Sequence, residues 1–207
     1  MNSSSVESSA KTPAEAVHPS AGSKRSIVKP FRSFRWEGVE PKAYKTDGST
    51  FRDIERHTLL GRTKWEQAEK MAGEPGAGEA GAADDGGAGN GGVGNGDVDE
   101  TSLPIQTRYF EVAPGGHSSL ETHAHSHSVV ILRGSGHVIL DNELHAVSAF
   151  DVVYIAPWCL HQFLADRGET LGFLCMVEMD RDRPRLPSEE EIEAVVQDPQ
   201  VRERIRR

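Results

Sequence analysis

Residues 115–134 read GGHSSLETHAHSHSVVILRG, and four of the nine histidines of the chain fall inside that stretch. Glu121, His123, His125 and His127 alternate with Thr122, Ala124 and Ser126. On an extended strand, residues two apart share a face, so this spacing lines up three imidazoles and a carboxylate. Such a face is a candidate metal site, because neutral imidazole and carboxylate oxygen are the usual donors for first-row divalent ions. A polar surface strand, or a tract rich in histidine by accident, is the competing explanation. The flanks argue against it.

Outward from the histidines the pattern is all-β. TRYFEVA (107–113) alternates, Pro114-Gly115-Gly116 reads as a turn, and SVVILRG (128–134) reads as a buried strand. SGHVIL (135–140), a turn at Asp141-Asn142, ELHAVS (143–148), DVVYIAP (151–157), LHQFLA (160–165) and LGFLCMVEM (171–179) follow. Short strands at this spacing predict an antiparallel sandwich or barrel, placed at residues 101–187. In the tail, 188–207, Ser188 and Glu191 form a capping-box pair. Ile192, Val195 and Val196 make one apolar stripe, which predicts a short helix from about 189 to 197, ended by Pro199.

Upstream, residues 1–25 are small and polar and read as a disordered extension. Residues 26–71 carry Phe31, Phe34, Trp36, Tyr44 and Phe51 between Gly and Pro turn signals, the pattern of short strands in an arm that packs on the barrel. Residues 72–100 are a Gly/Ala/Asp/Asn tract with no large apolar side chain. Such a tract cannot offset its ordering entropy and reads as a flexible loop.

The formal net charge is −9, but Glu74 to Glu100 holds seven acidic residues and no Lys or Arg, so the remainder is near −2 (−9 + 7). That excludes a basic nucleic-acid surface. No apolar run reaches the length of a membrane span, and the N-terminus has no hydrophobic signal core. A cytoplasmic location is expected, with a Ser/Ala-rich transit peptide as the alternative. Cys159 and Cys175 are then reduced thiols rather than a bridge. Lys45, Arg52 and Arg56 are candidates to hold an anionic substrate group, each against the plainer role of surface cation.

The run from Gly115 through His123 and His127 to Gly134, followed by Pro157 and His161, resembles the first and second motifs of the cupin superfamily. The spacings of the first motif fit. Glu121 stands where the first histidine is usual and His127 where the glutamate is usual. In the second motif the Pro157-to-His161 interval is one residue short and the closing Asn is absent. The resemblance implies a cupin double-stranded β-helix, a jelly-roll barrel, with one divalent metal held by Glu121, His123, His127 and His161. Register leaves His125 in a turn beside the metal. If the strand is continuous, His125 replaces Glu121 as ligand. His117, His137 and His145 receive no role.

The segments FRWEGVEPKAYKTDGSTFRDIERHTLLG, RYFEVAPGGHSSLETHAHSHSVVILRGSG, HQF and GFLCMVEMDRDRP are similar to one cupin subfamily, which includes the 1-methylthioxylulose 5-phosphate sulfo-lyases, or methylsulfurylases, of methylthio-sugar salvage. That resemblance implies a Mn(II) enzyme, with Fe(II), Ni(II) or Zn(II) compatible with the same donors, and a reactive cysteine at Cys175. It further implies a sugar phosphate substrate, with Arg108, Arg133, Arg181 and Arg183 as candidates to bind the phosphate, and 1-deoxyxylulose 5-phosphate and methanethiol as products. The same resemblance implies an external thiol reductant that resets the cysteine, and a homodimer paired through the aromatic arm. A buried core thiol is the alternative reading of Cys175, and Cys159 is the second candidate thiol. A cupin dioxygenase using Fe(II) and a non-catalytic metal- or sugar-binding cupin are the competing functions.

Overall fold

Period-2 burial organises the fold. In the computed structural model, which describes residues 28–45, 50–61 and 103–207, strand after strand sends one face inward. Among the described residues, four strands precede the barrel: β1 (Phe31–Arg32), β2 (Arg35–Trp36), β3 (Lys42–Ala43) and β4 (Arg52–Leu60). The barrel follows with β5 (Ile105–His117), β6 (His127–Arg133), β7 (Ser135–Leu140), β8 (Glu143–Ser148), β9 (Val152–Ile155), β10 (His161–Ala165) and β11 (Leu171–Glu178). The strand segments expected between 128 and 179 are these, shifted by a residue or two at their ends. The expected disordered extension (1–25) and flexible loop (72–100) lie outside the described residues.

All pairings are antiparallel. One sheet runs β8-β7-β10-β5-β11-β6-β9, with β4 added on β5 and β3 on β4. Most of β5 pairs with β11, Leu171 facing Val112 and Glu178 facing Ile105, whereas its last residue, His117, faces Leu164 of β10. One long strand therefore joins two halves of a strongly curled half-barrel. The turn expected at Pro114-Gly115-Gly116 is corrected here: the chain stays in β5 through all three residues. An irregularity absorbs them, since Arg52 of β4 pairs with His117 but Ile54 with Val112. Gly115 sits at φ +73°, and a Cβ on Gly116 would lie 2.6 Å from the Arg52 carbonyl oxygen. Both glycines serve a bulge rather than a hairpin.

Inward residues of both halves form the core, among them Phe110, Val129, Ile131, Ile155, Phe163 and Phe173. The Phe163 and Phe173 rings stack at 4.4 Å and Phe110 stacks on Phe173 at 5.3 Å. Each such side chain contributes roughly 1.5–3 kcal/mol on burial. A second cluster joins Leu120, Ile139, Leu160 and Leu164 to Ile192, Val196 and Val201 from the tail.

The tail holds two helices, not one. Helix α1 (Glu189–Val195) starts at Ser188 with both capping-box bonds made. Pro199 does not merely follow it. It is the first residue of α2 (Pro199–Arg204), whose N-cap Asp198 accepts from the Gln200 backbone N–H. Proline is favoured at that first position, where its missing N–H is no loss. Among the described residues, no helix is long and apolar enough to cross a membrane.

Candidate metal centre

The histidine segment is not a continuous strand. Glu121 and Thr122 make isolated bridges to His161 and Arg185, Ala124 and His125 form a bend, and β6 begins only at His127. The bend has a specific anchor: Asp182 accepts from the Ala124 backbone N–H at 2.9 Å and from the His125 backbone N–H at 3.1 Å. Folding back there brings His123 and His127 face to face, with rings 4.4 Å apart and 8° from parallel. His161 enters from the first residue of β10, which the Glu121 bridge holds beside them.

His123, His127 and His161 offer ligand atoms within 4.8 Å of one another, all buried. The Nδ1 of His123 lies 2.8 Å from the His125 carbonyl oxygen, and that of His161 lies 3.0 Å from the Cys159 carbonyl oxygen. The His127 Nδ1 is 3.5 Å from the Cys175 thiol. With Nδ1 occupied, each ring turns Nε2 to the centre, an orientation that outer hydrogen bonds characteristically impose on metal ligands. The Nε2 atoms of His123 and His127 are 2.7 Å apart. Burial pushes the His123 pKa down to about 4 and lowers those of His127 and His161 as well, for the same leading reason, desolvation. Neutral rings converging by lone pair on one point fit a divalent cation well.

Glu121 stands at the rim of this group. Its Oε1 is 3.8 Å from His161 Nε2. Its Oε2 accepts from Ser119 Oγ at 2.9 Å and pairs with Lys45. Burial acts to raise the Glu121 pKa, but Lys45, with His161 and Ser119, holds it below the usual carboxylate value. Lys45 is placed by its neighbour Tyr44, whose ring packs edge-on against Phe110 at 5.7 Å and against Phe51 at 5.0 Å. His125, the doubtful fifth donor, stacks on His123 at 3.7 Å, and its Nδ1 lies 2.6 Å from Asp182 Oδ1.

Lys45, Glu121, His125, His127 and His161 line a cavity of about 460 Å³. Cys175 lines it and is 2% exposed. Its Sγ accepts from Arg108 Nη2 at 3.2 Å, the two residues being direct partners across β5 and β11. Lys45, Arg56, Arg108, Arg181 and Arg183 also line the cavity, against Glu121 as the one lining carboxylate among the described residues. Arg133 is turned elsewhere, bonded to Glu111 at 2.8 Å and lying over the Phe34 ring, and Arg52 is on the exposed side of β4. Cys159 does not line the cavity, and burial with nearby Asp141 pushes its pKa up to about 12. His137 and His145 lie beside Asp166 and Glu143, and His117 is buried with its Nδ1 near the Ser118 carbonyl oxygen. None of the three joins the triad. Sequence reasoning missed Ser119 and Asp182, which have no motif of their own. It gave Lys45 only the role of an anion binder.

The fold and the triad define the class: the chain belongs to the cupin family. Residues 108–177 match the family described as "Cupin domain". Over 166 residues, 79% of this chain and 82% of the relative, it is 38% identical to the 1-methylthio-D-xylulose 5-phosphate methylsulfurylase of Rhodospirillum rubrum. Among solved structures it is similar to a cupin-2 domain protein of Rhodospirillum rubrum, at 37% identity and TM-score 0.59, covering 84% of this chain and 93% of that one. It is also similar to a cupin 2 conserved barrel protein of Rhodopseudomonas palustris, at 32% identity and TM-score 0.62, covering 88% and 100%.

Proposed function

We propose that this protein is a metal-dependent carbon–sulfur lyase that converts a methylthio-ketose phosphate, 1-methylthioxylulose 5-phosphate, to 1-deoxyxylulose 5-phosphate and methanethiol. One observation carries the reading: a buried thiol, Cys175, lines the same cation-lined cavity as His127 and His161 of the three-histidine group. The relative's named substrate supplies the compound.

His123, His127 and His161 hold one divalent ion, with Mn(II) favoured and Fe(II), Ni(II) or Zn(II) compatible with the donors. Glu121 is the adjacent fourth donor, one of its oxygens committed to Lys45 and Ser119. His125 is held outside the set by Asp182. The bound ion supplies Lewis-acid stabilisation of negative charge on a substrate oxygen.

The protein groups do the rest. Cationic side chains of the cavity wall bind the phosphate, a task suited to guanidinium. The Cys175 sulfur attacks the methylthio sulfur, forming an S–S bond. The C1–S bond breaks, and its electron pair passes into C1 and the neighbouring carbonyl as an enolate. Protonation at C1 gives the methyl of the product. Cys175 is left as a methyl disulfide. One external thiol displaces methanethiol and a second restores the cysteine, leaving the reductant as a disulfide. The protein works in this reading as a cytoplasmic homodimer.

The test is metal analysis of purified protein, then methanethiol release from 1-methylthioxylulose 5-phosphate with a thiol reductant present. Stoichiometric metal and thiol-dependent methanethiol are expected. Oxygen uptake in place of methanethiol release would replace the lyase by an oxygenase.

A further inference from the structure

The arm carries a charge into the metal centre. Lys45 precedes the matched domain, which begins at residue 108, yet its ammonium reaches the Glu121 carboxylate and donates to Ser119 Oγ at 2.6 Å. Ser119 Oγ in turn donates to Glu121 Oε2 at 2.9 Å, the same oxygen that Lys45 bonds. The three groups close a ring on Oε2. Oε1 is left facing the triad, 3.8 Å from His161 Nε2. The backbone beneath is fixed as well: Glu121 N donates to the His161 carbonyl at 3.1 Å, and His161 N to the Glu121 carbonyl at 3.0 Å. Ser119 and Glu121 are both buried. The Lys45 ammonium lies 5.1 Å from the centre of the Tyr44 ring, and the Tyr44 hydroxyl is 3.4 Å from Ser119 Oγ.

We infer that Lys45 is a positioning residue of the metal centre: it restricts Glu121 to one oxygen and cancels its charge, so that an ion on the triad keeps its positive charge and open positions for substrate oxygens. This rests on the metal-centre reading above and names the group that sets the charge of that centre. Three neutral imidazoles bring no charge of their own. A carboxylate without a partner would bring one negative charge and could take a divalent ion through both oxygens. Either effect weakens the Lewis acid that a developing enolate needs. With Lys45 in place the positive and negative charges cancel, and the ring on Oε2 leaves a single oxygen to offer.

The direction of the effect separates this role from plain packing. Taking the ammonium away leaves a buried carboxylate without its counter-charge, and a divalent cation is then the group that best restores it. Metal binding should tighten, whereas loss of a contact that merely supports the fold loosens a site. Two of the three ammonium donors are committed to Ser119 and Glu121, so the substrate phosphate falls to the guanidinium groups of the wall.

The test is calorimetric Mn(II) binding to the metal-free full chain as wild type, K45M and K45R, with melting curves before and after Mn(II). K45M is expected to bind Mn(II) about tenfold more tightly or better, since a unit charge beside a divalent ion is worth at least that. K45R keeps the charge and should stay within roughly threefold of wild type. Metal-free K45M should melt below wild type and regain the difference when Mn(II) is added. With 1-methylthioxylulose 5-phosphate, kcat of K45M should fall while KM holds. Unchanged or weaker Mn(II) binding by K45M overturns the inference and leaves the metal centre standing. A rise in KM at unchanged kcat also overturns it and returns Lys45 to anion binding. A wild type that takes up no Mn(II) overturns the metal centre and this inference together. Failure of the wild type to release methanethiol overturns the lyase reading alone, because Mn(II) affinity is read without turnover. S119A serves if K45M does not fold: with one donor removed from Oε2, tighter Mn(II) binding is again expected, and equal or weaker binding overturns the inference.

Discussion

Replacing Cys175 by serine separates the chemistry from the architecture. The thiol is 2% exposed, 3.2 Å from Arg108 Nη2 and 3.5 Å from His127 Nδ1. A serine hydroxyl can meet both groups. Its hydrogen bond to a charged guanidinium contributes about 1.5–3 kcal/mol, which offsets the similar cost, about 1–3 kcal/mol, of burying the hydroxyl. The net change in stability should lie within about 1 kcal/mol, or roughly 2–4 °C in Tm for a chain of this size. Loss of a sulfur nucleophile is of another order. Removing a catalytic nucleophile lowers kcat by about 10⁴–10⁶, equivalent to roughly 5–8 kcal/mol of barrier. Headspace chromatography of methanethiol, metal analysis and a melting curve on the same preparation read all three quantities. Methanethiol should vanish while metal content and Tm hold. Wild-type protein given substrate without reductant should gain one methylthio group, about 46 Da, and the serine variant should not. Methanethiol release within tenfold of wild type by C175S, or a loss of activity that tracks loss of metal, refutes the cysteine mechanism.

Metal-free protein should lose stability in acid. The folded His123 has its pKa at about 4, below the unfolded value near 6.5. Protons are therefore taken up on unfolding between those values, and stability present above pH 6.5 falls by up to ~3 kcal/mol as pH drops to 4. Urea titrations at pH 7, 5.5 and 4.5 read the slope, and a flat profile contradicts neutral buried rings. D182N weakens the carboxylate that anchors Ala124 N–H, His125 N–H and the His125 ring. Calorimetric Mn(II) affinity should fall about 10–100-fold, as for other groups that orient metal ligands, and unchanged affinity removes Asp182 from the site. G134A should cost several kcal/mol, roughly 3 or more. Gly134 has φ +73° and an added Cβ would lie 1.9 Å from the Thr170 carbonyl oxygen. Soluble, wild-type-like G134A in a urea melt contradicts that packing.

Much of the barrel was legible because its signals are local. The apolar runs at 128–133 and 171–178 mark buried strands, and the glycines at 115 and 134 mark places where the backbone takes positive φ. The same locality misled at Pro114-Gly115-Gly116, since a bulge inside a long strand asks for the residues a turn asks for. Pro199 read as a stop because the sequence does not say which side of a proline carries the helix. The site was legible in part. His123, His127 and His161 followed from motif spacing, but the bend that joins the first two depends on Asp182, 57 residues on from His125. Lys45 reaches Glu121 from 76 residues away. Pairings over such distances leave no period in the chain, and only the closed fold reveals them.

Where the cavity wall comes from has an evolutionary consequence. The matched domain ends at residue 177 and begins at 108, yet Lys45 and Arg56 arrive from before it and Arg181 and Arg183 from after it. The heritable barrel carries the imidazoles and the thiol, while segments outside it supply most of the charge that greets a substrate. Exchange of Lys45, Arg56, Arg181 or Arg183 would alter that charge, whereas Asp182, in the same flank, is tied to the histidine bend through Ala124 and His125. A lineage can thus retune what it admits while keeping one inherited centre.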